Sequence, residues 1–133
     1  MKMTENEWRI VEKRLDVLLG GVKLNCDGYR LSLRLSRITN NKLAITVFVN
    51  RKLRGKWLLD DCEERSRFMR PFKRFVWSKK ARDMMQKIGK ATLKEKAWDP
   101  KEKRISYSFY WPSFKPLKKH LIANNKEITL ISE

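Results

Sequence analysis

The chain has 133 residues, enough for one domain with a sizeable core, and carries 32 Lys and Arg against 15 Asp and Glu, a formal charge of +17. At 41% hydrophobic and 11% aromatic it is too apolar for a disordered basic tail. No apolar run approaches the ~18 residues needed to span a bilayer, and polar Thr4, Glu5, Asn6 and Glu7 follow Met1-Lys2-Met3 too soon for a signal peptide. Charge excess of this size destabilises a compact body, so it points to a polyanionic partner: nucleic acid first, DNA or RNA, with an anionic membrane surface or an acidic protein as the competing partners. A single cytoplasmic domain over 1–133 is expected, with no transmembrane insertion. Cys26 and Cys62 lack metal-ligand spacing and read as buried thiols in a reducing compartment.

Thr4 and Glu7 form a capping box, after which Trp8, Val11, Leu15 and Leu18 recur at helical spacing until Gly20-Gly21. Residues 22–59 then fold on paper into a four-stranded antiparallel meander. Closing a hairpin at Asp27-Gly28 pairs Cys26 with Tyr29, Leu24 with Leu31 and Val22 with Leu33, all on one face. Loops with an odd number of residues are needed to keep the apolar sets together. Thr39-Asn40-Asn41, with Asn41 left-handed, and Asn50-Arg51-Lys52 supply them. The reverse face then holds Lys23, Asn25, Arg30, Ser32, Arg34, Ser36, Ala44, Thr46, Phe48, Arg54, Lys56 and Leu58, with no carboxylate. Ser32, Phe48 and Arg54 are expected in one cross-strand row, and Arg34, Thr46 and Lys56 in the next. Cations around an aromatic suit a nucleic-acid surface; the plainer reading is a solvated outer face.

Asp60-Asp61-Cys62-Glu63-Glu64 is the densest acidic cluster, and its carboxylates suit the start of a helix that runs to Arg70 and is ended or kinked by Pro71. Residues 65–90 are the most basic stretch. Arg70, Lys73, Arg74, Lys79 and Lys80 alternate there with Phe68, Phe72, Phe75 and Trp77, and a mainly helical, aromatic-rich contact segment is expected. The three phenylalanines read as core, and Trp77 as either core or contact. Ser78 can cap a helix whose apolar face is Ala81, Met84, Met85 and Ile88. Lys79 and Lys80 fall in its first turn, where the helix dipole disfavours cations by ~0.3–1 kcal/mol each and a bound phosphate would relieve the conflict.

Ser78-Lys79-Lys80-Ala81 resembles the lysine-rich start of the last helix in double-stranded RNA-binding domains. The order of helix, sheet and helix is similar too. The resemblance implies phosphate gripping by Lys79 and Lys80. It covers these few residues, since residues 60–77 interrupt the family's order and its Gly-Pro-x-His loop is absent.

Further on, residues 97–101 read as a turn, and Ile105, Tyr107, Phe109 and Trp111 alternate with Arg104, Ser106, Ser108 and Tyr110 as a strand over about 104–111 added to the same sheet. A short helix through Leu117, Leu121 and Ile122 and a final edge strand over 127–131 close the chain. Lys115, Lys118 and Lys119 extend the positive surface, and His120 reads as a lone surface residue. The fold class is therefore α+β, an antiparallel sheet packed by an N-terminal helix and by central and C-terminal helices.

Phosphate-loop, dinucleotide, nucleophile-elbow and zinc motifs are all missing, so no cofactor, metal or catalytic residue is assigned. The expected function is non-catalytic nucleic-acid binding by Arg30, Arg34, Phe48, Arg54, Lys56, Arg70, Lys73, Arg74, Trp77, Lys79 and Lys80. Two alternatives stay open. One is a small accessory or inhibitor protein, of bacterial or phage style, docking on an acidic protein or a nucleoprotein complex. The other is a metal-dependent nuclease drawing carboxylates from Asp60, Asp61, Glu63, Glu64 or Asp99.

Overall fold

Asp27 and Gly28 both take positive φ, 50° and 92°, in the computed structural model, which describes residues 2–131. They make the tight turn that an Asp-Gly pair favours. The turn joins β1 (Gly21–Cys26) to β2 (Tyr29–Thr39) in the expected register: Cys26 lies opposite Tyr29, Leu24 opposite Leu31 and Val22 opposite Leu33. β3 (Lys42–Val49) pairs with β2 so that Ser32 faces Phe48 and Arg34 faces Thr46, again as expected. The loop differs from expectation, though its parity does not. Asn40-Asn41 is a two-residue turn, Asn41 is not left-handed, and the odd residue is Ile38, bulged between Arg37 and Thr39.

The expected fourth strand is absent. Asn50 and Arg51 both have positive φ, 50° and 65°, forming a two-residue turn that returns Lys52, rather than Leu53, opposite Val49. This one-residue difference reverses the faces: Leu53 is 41% exposed instead of joining the core. The chain leaves the sheet and forms the short helix α2 (Lys56–Leu59), which buries Trp57. The place beside β3 is taken by β6 (Tyr110–Trp111), with Trp111 opposite Ile45 and Tyr110 opposite Thr46. On the other edge β7 (Ile128–Ile131) pairs antiparallel with β1, giving the order β6-β3-β2-β1-β7. The class is α+β with an antiparallel sheet.

Residues 2–70 and 107–131 form one compact unit around this sheet. Its helices cover the apolar face. α1 (Glu5–Arg14) begins with the Thr4/Glu7 capping box and contributes Trp8 and Val11, with Leu15 following. α6 (Phe114–Asn124) contributes Leu117 and Leu121, and α3 (Glu63–Phe68) contributes Phe68. Trp111 is 3% exposed, and its indole Nε1 donates to the Phe68 carbonyl at 3.2 Å, so a polar atom enters the core satisfied. Leu43, at the end of β3 beside the bulge, is 47% exposed, and Leu18, expected in the helical stripe, is 44% exposed. α1 stops at Arg14, and the following turn ends in left-handed Leu19, whose N–H donates to the Leu35 carbonyl, carrying the chain past the sheet before its stripe can continue.

The second unit is residues 71–106. The helix expected to reach Arg70 ends at Phe68, and Arg70–Phe75 is a strand, β4, which pairs with β5 (Lys103–Ser108) in a separate two-stranded sheet. Pro71 is tolerated there because a two-stranded sheet leaves each strand an edge. α4 (Lys79–Gln86) and α5 (Lys90–Glu95) follow, and Met85 is the buried residue of α4. The strand expected over 104–111 is therefore two strands in two sheets, parted at Phe109. At the break the Ser108 hydroxyl accepts from the Tyr110 N–H at 3.0 Å, and the Phe109 carbonyl accepts from the Val47 N–H at 3.1 Å. Among the described residues no helix is long and apolar enough to cross a membrane.

Candidate nucleic-acid interface

Alternation along β1, β2 and β3 places Lys23, Arg30 and Arg34 on the face opposite the helices. The sheet registers align two rows there, Lys23–Ser32–Phe48 and Arg34–Thr46–Tyr110. Arg34 and Lys23 are exposed, Arg30 and Phe48 half-buried, and Tyr110 is 38% exposed. Thr46 and Ala44, at 3% exposed each, form a closed floor beneath them. The Arg34 guanidinium lies 5.9 Å from the Phe48 ring centroid, a cation–π contact. Among the described residues the strand positions of this face hold no carboxylate.

Arg54 and Lys56 are not part of it. The Asn50-Arg51 turn moves both out of the sheet: Arg54 lies in the loop before α2, Lys56 is its first residue, and Arg34–Thr46–Lys56 is not a row. Together with Lys52 they line a separate cleft of about 290 Å³ that Glu64 also enters. Arg70 has a structural bond, its Nε donating to the Tyr110 carbonyl at 2.9 Å. It thus fixes the strand that carries Tyr110.

Within the second unit, Lys73 and Arg74 are exposed on β4. The unit has twelve Lys and Arg against four Asp and Glu. Ser78 caps α4, its hydroxyl accepting from the Ala81 N–H at 3.2 Å, and Lys79 and Lys80 stand exposed in a first turn without an acid. Trp77 is half-buried with its ring centroid 6.0 Å from that of Trp98, and its Nε1 has no hydrogen-bond partner among the described residues. Phe68 is core as expected, at 0% exposed. Phe75 is not: at 36% exposed it has the Arg82 guanidinium 3.7 Å from its ring centroid and the Lys103 ammonium 4.6 Å away. Arg82 is held there by donating to the Trp77 carbonyl. Helical spacing counted Met84 with the apolar face, but it is 60% exposed.

Two carboxylates of the acidic cluster, Glu63 and Asp61, are bonded within the fold. Glu63 accepts from the Tyr29 hydroxyl at 2.8 Å and from Arg67 at 2.9 Å, and Arg67 also reaches Asp27 at 2.6 Å and Asn125 at 3.1 Å. Asp27 accepts in addition from the Lys126 and Glu127 backbone N–H groups, both at 2.8 Å. Those two N–H groups, then Arg67, hold its carboxyl down at about 2. The Tyr29 phenol is pushed up to about 12, first by its bond to Glu63 and then by burial. Asp61 pairs with Arg65 at 3.1 Å. Among the described residues no group of three or more His, Cys, Asp or Glu is placed to hold a metal ion.

His120, expected at the surface, is half-buried against Trp111, with Nε2 3.0 Å from the Ser66 carbonyl. Burial lowers its pKa despite that bond. Both cysteines are free thiols; Cys26 is buried as expected, and burial pushes its thiol up to about 12, whereas Cys62, also expected buried, is only half-buried. Lys118 lies 3.4 Å from Glu5 and 5.5 Å from the Trp8 ring, tying α6 to α1.

Sequence reasoning does not single out Tyr110, Arg82 or Lys103 as contact residues, although Arg82 lies in the basic stretch 65–90. Alternation did place Tyr110 opposite the core set of its strand, but no local signal tells which distant strand it will join. Compared with protein-family models, curated proteins and solved structures, the chain matches none.

Proposed function

We propose that the protein binds nucleic acid, without catalysing a reaction on it, through the outer face of its five-stranded sheet and through the basic second unit. The observation that carries this reading is the face itself: three cations and two aromatic rings over a closed floor, without a carboxylate among the described residues. A merely solvated sheet face needs polar groups of either sign, whereas single-sign charge beside rings matches phosphates beside bases. The second unit supports the same partner with its charge excess and with two lysines where a helix start disfavours them.

Fluorescence anisotropy with labelled oligonucleotides tests it. With ~6–10 phosphates neutralised, affinity falls by ~10³–10⁵ between 50 and 200 mM salt. Absence of binding at 50 mM removes the reading and turns attention to an acidic protein as the partner.

A further inference from the structure

On the sheet's outer face the charges and the rings are sorted by strand. Lys23 lies on β1, and Arg30 and Arg34 on β2; Phe48 lies on β3 and Tyr110 on β6. Since the strands are adjacent in the order β6-β3-β2-β1, a cationic lane runs beside an aromatic lane. Arg30 and Arg34 are four residues apart, so the cationic lane extends ~13 Å along β2. In the aromatic lane Tyr110 is opposite Thr46 and Phe48 is two residues further along, a diagonal pair ~7–8 Å apart. Thr46 closes the floor between them.

We infer that this face takes single-stranded nucleic acid, its phosphates along β1 and β2 and neighbouring bases stacked on Phe48 and Tyr110. The inference rests on the nucleic-acid reading above and narrows it. Two physical points favour a single strand over a duplex. Stacking needs an open base face, which a duplex keeps inside its own stack. Size is the second point: five strands at ~4.8 Å spacing are ~19 Å wide, so this face cannot seat in a major groove ~12 Å across, which admits a helix or a two-stranded ribbon.

The test compares a single-stranded oligonucleotide with the duplex of the same sequence and length at one salt concentration, for the intact chain and for Phe48→Leu and Tyr110→Leu. Leucine keeps the floor covered but offers no π-face. The single strand should bind more tightly. Each substitution should weaken it by roughly 5- to 150-fold, the range for losing one stacked base, without altering the salt slope, because no phosphate contact is lost. Ultraviolet cross-linking of a bromouracil-substituted strand to the unaltered protein, mapped by mass spectrometry, should mark Phe48 or Tyr110, and it stands even if a variant fails to fold. A duplex bound as tightly as the single strand, or cross-links confined to residues 71–106, overturns the inference while leaving nucleic-acid binding intact. Binding of neither form overturns the broader reading.

Discussion

Replacing Lys23 and Arg34 by glutamine removes two exposed cations from the sheet face without disturbing its apolar side. The contact of Arg34 with Phe48 is worth about 0.5–1 kcal/mol at an exposed site, and an exposed Lys23 contributes within about 0.5 kcal/mol. Thermal unfolding should therefore change little. Binding should change in a defined way. Each phosphate contact to a single strand adds ~0.7 to the slope of log affinity against log salt, so losing two flattens it by ~1.4. Over the fourfold range from 50 to 200 mM the affinity of the variant should thus fall by about sevenfold less than that of the parent. Arg9→Gln with Lys13→Gln is the matched control, since it removes the same charge from exposed positions of α1, which packs on the other side of the sheet. Anisotropy titrations at several salt concentrations separate the two. Equal flattening by both pairs would mean that binding reports net charge alone, and the reasoning from the sheet face would be refuted.

Lys79→Ala with Lys80→Ala should leave the free protein as stable or slightly more so in a urea titration, because the dipole conflict at the start of α4 is removed, yet weaken nucleic-acid binding with a shallower salt slope. Gly20→Ala should destabilise by about 1–3 kcal/mol, because its Cβ would stand 2.4 Å from the Arg14 carbonyl oxygen and 2.7 Å from that of Val17; Gly55→Ala, with open space around it, should be neutral or stabilising in the same assay. Asp27 has its carboxyl held at about 2, so its stabilisation is complete above the ordinary value of about 4 and is lost as pH falls through about 2. Asp27→Asn should accordingly be less stable than the parent at neutral pH, and acid unfolding curves should show the difference closing between about pH 4 and pH 2.

The first three strands were readable because their registers depend on local information. Asp-Gly has one favoured turn, and the two-residue alternation of Leu31, Leu33, Leu35 against Ile45, Val47, Val49 penalises any slip of one. That constraint acts on parity, not on loop length, which is why the bulge at Ile38 could replace a three-residue loop unnoticed. The same indifference defeated the fourth strand. Asn50-Arg51 and Asn50-Arg51-Lys52 look alike in sequence but differ by one in count, and with the shorter turn Arg54 and Lys56 leave the sheet face. Lys23, Arg34 and Phe48 were legible as one surface because their faces follow from alternation. Tyr110 was not: its place beside β3 depends on a pairing more than sixty residues away, decided by how Trp111 fills the core against Ile45 and Phe68. In residues 71–106 a small core gives the sequence little apolar period to display, so a strand was read as helix.

The carboxylate of Asp27 binds the backbone of Lys126 and Glu127, partners 99 and 100 residues further along. A turn built from residues adjacent in sequence thus carries the socket for a distant segment. Were that segment to detach, β1 would have no β7 beside it, and its outer row of N–H and C=O groups would be open. An edge opened in this way is a template for pairing with another chain, a second copy of this one included. Docking of residues 126–131 into the Asp27 turn keeps that edge covered.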